Sequence, residues 1–199
     1  MNIDDTLLTE LLSALGAHLE RNNCPITIIV VGGASLTAYG LIDRTTKDVN
    51  VIARVEIVDG EKRLVRATPF PSAFVEAVSR VSRDYNLQSD WLNAVIDKQW
   101  EFGLPPDFEE DISWNSFGVL NVGFVGRSGL IPLKLFAAID QGPTSKHWQD
   151  LLALEPTQVE INKAADWVRS QDIGTEFKTF DGQAIEQLRT DLAKHKPNR

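Results

Sequence analysis

Apolar residues at Ile3, Leu7, Leu8, Leu11, Leu12, Leu15 and Leu19 recur three and four positions apart, the spacing of one helix face. Asp4 or Asp5 supplies a cap at its start, and the pattern ends near Asn22-Asn23. The period then changes. Residues 26–31 read Ile-Thr-Ile-Ile-Val-Val, short and β-branched, as in a buried strand. Gly32-Gly33 breaks that run, residues 34–40 have helix-forming character, and residues 41–47 are polar and turn-like. Residues 48–55 are β-rich again. Asp59-Gly60 between β-like flanks predicts a hairpin joining residues 51–58 to residues 62–67.

Further along, residues 72–84 read as a helix with Phe74, Val75, Val78 and Val81 on one face, and residues 90–100 as another, shorter helix. Residues 103–111 are Pro-rich and acidic, hence a loop, and residues 117–125 form a strand. Ser128 caps a helix carrying Leu130, Leu133, Leu135 and Ala138, which Gly142-Pro143 stops. Helices follow at residues 146–154, 157–170 and 181–194, the second opened by a capping box of Thr157 and Glu160. Residues 194–199 are a basic tail, expected to fray. No internal repeat or low-complexity tract interrupts this order. The pattern is that of an α/β (α+β) N-terminal part, residues 1–125, and a helical C-terminal part, residues 126–199. A boundary near Phe70 or Gly103, or one shared core, are the other partitions it allows.

Composition narrows the class. The chain has 199 residues, 43% hydrophobic and 24% charged, enough to bury a sizeable core. Its net charge of −8 exerts no general pull on nucleic acid, although Arg44, Lys47, Arg54, Arg63 and Arg66 could form a local basic groove. The single cysteine, Cys24, rules out an internal disulfide and reads as a small buried hydrophobe. The N-terminus is acidic and amphipathic, and no apolar run reaches the ~18 residues of a membrane span. The expectation is a soluble cytoplasmic protein with no membrane partner. His147 has no metal-spaced companion, and the five tryptophans show no interleaving with basic residues, so core or groove anchoring is expected of them.

Chemistry concentrates between residues 28 and 55. In Gly32-Gly33-Ala34-Ser35 a strand enters and a helix leaves. Such glycines let backbone approach a ligand, and helix-start amides favour an anion. A tight turn with glycines for steric relief explains the same residues without a ligand. Further on, Asp48 and Asn50 stand two apart on a strand and so face one side. If that strand lies beside the first, they face the mouth of the Gly-Gly turn. Mg²⁺ takes hard oxygen ligands, one or two carboxylates with substrate phosphates.

Gly32-Gly33-Ala34-Ser35, Tyr39-Gly40 and Arg44-Thr45-Thr46-Lys47-Asp48-Val49-Asn50 together resemble the signature of the nucleotidyltransferase superfamily. The nearest branch is the AbiEii-type enzymes of bacterial abortive-infection and toxin–antitoxin systems and their uncharacterised relatives. Asp90-Trp91-Leu92-Asn93 is similar to a Trp-Leu-Asn element of that branch. Residues 130–138 with Gln149-Asp150-Leu151 resemble its later Leu-Lys and Asp-Leu run. The resemblance implies a mixed sheet with flanking helices followed by a mostly helical C-terminal part. It implies a nucleoside triphosphate held by Gly32, Gly33, Ser35 and Lys134, and Mg²⁺ or Mn²⁺ held by Asp48 and, in the second position, Asn50. It gives catalytic weight to Asp48, Lys134 and Asp150. An RNA or protein would accept the nucleotidyl group, and an antitoxin-type protein would be the cognate partner. The chain departs from the pattern at three places. Asn50 stands for the second aspartate, His147 for the first aspartate of the later pair, and Gln141 for the usual arginine. An amide in place of a carboxylate withdraws a charge from the metal site, so two readings stand: an impaired enzyme, or a degenerate module that binds nucleotide or a partner protein. An unrelated α/β domain with a chance Gly-Gly turn is the third.

Overall fold

The structure, a computed structural model, describes the backbone of residues 2–41, 45–171 and 175–195, and the side chains of all of these but 175–181. The chain divides into two compact units: residues 1–102 with 112–126, and residues 103–111 with 127–199. Residues 103–111 therefore group with the later helices rather than with the sheet.

The first unit is a mixed sheet with helices. Its strands are β1 (Ile26–Val31), β2 (Val49–Val58), β3 (Glu61–Arg66), β4 (Leu92–Asn93), β5 (Ser113–Phe117) and β6 (Leu120–Phe124). They lie in the order β3-β2-β1-β6-β5, with β4 beside β2. β1 runs antiparallel to β2 and parallel to β6, so the most apolar strand sits in the middle. Helix α1 (Asp5–Arg21) is capped by Asp4, whose carboxylate accepts from the Leu7 amide at 2.9 Å. Its Leu8, Leu11, Leu12 and Leu15 join Ile28, Val30, Val51 and Val122 of the sheet in one hydrophobic core. Phe74, Ala77, Val78 and Val81 of α3 (Ser72–Asp84) complete it. Each such fully buried side chain contributes about 1.5–3 kcal/mol. Asp59 and Gly60 form the turn of the β2–β3 hairpin, both with positive φ (54° and 81°), as the sequence led one to expect.

Three expectations are corrected here. Residues 90–100 do not form one helix: they make β4 first, and only from Val95 is the chain helical, as a 3-10 helix, Val95–Phe102. Tertiary partners decide this, because the Trp91 carbonyl accepts from Val49 N–H at 2.6 Å and its indole donates to the Val78 carbonyl at 3.1 Å. Residues 117–125 are not one strand but the end of a hairpin, β5 turning through Gly118 (φ 63°) into β6. Ser113, Trp114, Asn115 and Ser116 are all exposed, so no alternation announced β5. Val75 is half exposed, and Ala77 lies on the buried face of α3 instead.

The second unit is helical: α4 (Arg127–Gln141), α5 (Lys146–Leu154), α6 (Gln158–Ser170) and α7 (Thr175–His195). α4 packs on α5 and α6, and α7 packs on all three. Leu135, Trp148, Leu151, Ala164, Trp167 and Leu188 are buried between them. The Thr157–Glu160 capping box forms as expected. Ser128 does not cap α4. Its amide (3.1 Å) and hydroxyl both donate to Asp111, which ties residues 103–111 to the start of that helix. α7 starts at Thr175, earlier than residue 181, and residues 196–199 of the tail lie outside the described residues.

Candidate functional site

The end of β1 is built around two glycines. Gly32 has φ +79° and ψ −141°, a conformation that side-chain-bearing residues avoid. Gly33 opens α2 (Gly33–Ala38), and a Cβ there would stand 2.5 Å from Thr46 Oγ1. Thr46 is held in place by the N-terminal chain: Ile3 N–H donates to its carbonyl at 2.7 Å, and its own N–H donates to the Ile3 carbonyl at 2.9 Å. The Thr46 hydroxyl donates to the Asp48 carbonyl at 3.0 Å and so sets the backbone from which Asp48 projects.

Asn50 pairs with Val31 in the β1–β2 register, and its Nδ2 lies 3.7 Å from where a Gly32 Cβ would be. The carboxamide therefore lies beside the glycine turn. Asn93, on β4, pairs with Asn50 of β2. Its Nδ2 donates to the Asp90 carbonyl at 3.1 Å and reaches Asp48 Oδ2 at 3.4 Å, while its Oδ1 accepts from Val95 N–H at 3.1 Å. Asp48, Asn50 and Asn93 are each partly exposed. The register thus brings Asp48, Asn50 and Gly32-Gly33 to one strand end. Asn93 and Thr46 join them, and neither was assigned a role from the sequence. The Thr-x-Asp spacing of a side chain bonding backbone two residues on was the available signal for Thr46.

Ser35 is corrected. Its side chain is completely buried, and its hydroxyl donates to the Val30 carbonyl at 2.7 Å. It closes the turn from inside and presents no donor to a phosphate.

Lys134 and Asp150 belong to the second unit, whereas Gly32, Gly33, Ser35, Asp48 and Asn50 belong to the first. Lys134 Nζ donates to Asp150 Oδ2 at 2.6 Å, with the side chains 6% and 2% exposed. Two of the three residues expected to be catalytic are thus brought to each other, α4 to α5. In this conformation Lys134 spends its charge on Asp150 and offers little to a solvent-borne phosphate.

The expected basic groove is corrected at three of its five residues, while Lys47 is exposed. Arg54 donates to the Ala67 carbonyl at 2.8 Å and to Glu56 at 2.6 Å, and Arg63 pairs with Glu61 at 3.2 Å. Arg66 holds Asp97 at 3.1 and 3.2 Å and Glu101 at 2.9 Å. Each guanidinium faces a carboxylate, so these arginines add little net positive field; Arg44 lies outside the described residues. Asp97, only 4% exposed, was not singled out in the sequence. Burial pushes its carboxyl up, but hydrogen bonds from Arg66 and Thr68 outweigh that and hold it below the usual carboxylate range.

As a cation site the turn supplies one carboxylate, Asp48, and the carboxamide of Asn50. Among the described residues no three His, Cys, Asp or Glu side chains cluster to hold a metal. The donors fit a single Mg²⁺ that keeps waters and gains substrate phosphates, and do not fit a pair of ions. Among the described residues no helix is long and apolar enough to cross a membrane. Compared with family models, curated proteins and solved structures, the chain matches none.

Proposed function

We propose that this chain is a nucleotidyltransferase-like protein related to the AbiEii-type branch, and that it binds a magnesium– or manganese–nucleoside triphosphate at the Gly32-Gly33 turn. The observation that carries this reading is the β1–β2 register, Val31 opposite Asn50, which sets Asp48-Val49-Asn50 beside the glycines. The glycines leave room for phosphate oxygens against bare backbone. Asp48 and the Asn50 amide oxygen would hold the ion, which when bound offsets phosphate charge. The acceptor hydroxyl attacks the α-phosphorus: its oxygen forms the new P–O bond and its proton passes to water, while the bond from the α-phosphorus to the bridging oxygen breaks and pyrophosphate leaves. The acid-paired arginines and the net charge of −8 favour a protein hydroxyl over RNA as acceptor. Lys134 and Asp150 serve in this reading as a buried pin of the helical unit.

A second reading, nucleotide binding without transfer, is favoured by one specific feature. Asp48 Oδ2 is reached by the Asn93 amide at 3.4 Å, and Asn50 supplies an amide two residues on rather than a second carboxylate; such catalysis rests almost wholly on positioning and charge. Incubation with α-labelled triphosphates, Mg²⁺ or Mn²⁺, total RNA and cell protein separates the two. Label that disappears in Asp48→Ala supports transfer. Asp48-dependent nucleotide retention without label supports binding alone. Neither label nor retention sinks both.

A further inference from the structure

The helical unit holds a cavity of about 670 Å³, within the size range of sites for drug-sized ligands. It lies wholly inside this unit, between residues 103–111, the start of α4, and α6. Its floor is apolar: Ile131, Pro132 and Trp167 are buried side chains that still line it, and Pro105 and Pro106 close one wall. A flat hydrocarbon body fits such a floor, lying against the exposed Pro106 ring and the edge of the Trp167 indole.

The rim gives the charge of the occupant. Asp107, Glu110, Asp111, Glu160 and Asp166 line the cavity, against two cations, Arg127 and Lys163, which leaves a formal charge of −3. Both cations are committed. Arg127 is gripped by Glu160 in a two-point contact at 2.8 and 3.0 Å and donates to the Leu154 carbonyl at 2.7 Å. Lys163 Nζ donates to Asp107 at 2.7 Å. An entering anion would have to break one of these pairs and would still face the remaining carboxylates. An entering cation breaks neither of these pairs; at the edge it meets the exposed carboxylates of Glu110 and of Asp166, the latter 3.6 Å from Arg169 one helix turn on and open to water on its other side.

We propose that this cavity is a binding site for an organic cation: an ammonium group carried on a flat apolar body, the body on Trp167, Ile131 and Pro132 and the charge toward Glu110 and Asp166. The site is separate from the Gly32-Gly33 turn and does not depend on its chemistry.

The test is calorimetric titration of the full chain with three probes of one shape and different charge: tryptamine, indole-3-acetamide and indole-3-acetate. The expected order is tryptamine tightest and indole-3-acetate weakest, with about tenfold between cation and neutral probe at low salt, narrowing as salt is added. Glu110→Gln and Asp166→Asn change exposed positions, and each weakens tryptamine severalfold. The reversal Glu110→Lys/Asp166→Lys weakens it by more than about tenfold. Circular dichroism confirms that each variant is folded. Indole-3-acetate binding as well as tryptamine overturns the proposal. So does absence of tryptamine binding at millimolar concentration, or unchanged affinity in the folded reversal variant.

Discussion

Lys134 Nζ donates to Asp150 Oδ2 at 2.6 Å between α4 and α5, with both side chains almost wholly removed from water. Removing one partner leaves the other charge buried. Lys134→Ala and Asp150→Ala are each expected to lower unfolding stability by about 3–5 kcal/mol. The double change to apolar residues of similar volume, Lys134→Met with Asp150→Leu, is expected to be closer to wild type than either single variant. Urea unfolding of the four proteins checks this. A double variant as unstable as the sum of the singles would mean that the pair is not coupled.

Gly16 sits inside α1, where alanine is favoured over glycine by about 1 kcal/mol on helix propensity. A Cβ there would run into the backbone carbonyl of Phe117, far inside contact distance. Gly16→Ala is therefore expected to destabilise, by about 1–3 kcal/mol, the opposite sign to propensity. Thermal unfolding decides between them.

Glu160 gives a pH signature. The Arg127 guanidinium, with the amide and hydroxyl of Thr157, holds its carboxyl down from 4.5 to about 2 against the opposing effect of burial. The folded pKa is depressed, so this stabilisation is fully present above about pH 4.5 and is lost as the pH falls toward about 2. Solvent screening at this partly exposed pair limits it to about 1 kcal/mol. Glu160→Gln is expected to lose that amount at neutral pH and to flatten the stability curve between those two pH values. An unchanged curve in the variant would place the acid sensitivity elsewhere.

At the Gly32 turn, Asn50→Asp adds a second carboxylate next to Asp48. Manganese affinity, read by electron paramagnetic resonance, is expected to rise about tenfold, the effect of one more nearby charge. Asp48→Ala in the same background is expected to abolish the gain. A gain that survives the loss of Asp48 would show that the two side chains do not share an ion.

Local patterning determined most of the elements. The heptad-like leucines of α1, the β-branched run of β1, the Asp59-Gly60 turn and the Thr157–Glu160 capping box are short-range signals, and the structure follows each. So does the mixed sheet followed by helices. The strand–turn–helix at Gly32-Gly33 and the strand beginning at Val49 were also legible, being local; that the two strands lie side by side was only a condition in the sequence and is settled by the β1–β2 pairing.

What tertiary structure alone decided is who meets whom. Residues 90–100 look like one helix by themselves, but Val49 and Val78 capture the backbone and indole of Trp91, Leu92–Asn93 pairs as a strand, and only the part from Val95 on is helical. Ser35 reads as a phosphate donor until its hydroxyl is found donating to the Val30 carbonyl. Lys134 reads as a free cation until α5 brings Asp150 to it, and Arg54, Arg63 and Arg66 read as a basic patch until carboxylates reach them. A sequence states which donors and charges exist. Desolvation on folding obliges each buried one to find a partner, and the partner is often distant in the chain: sixteen residues for Lys134 and thirty-one for Arg66 and Asp97.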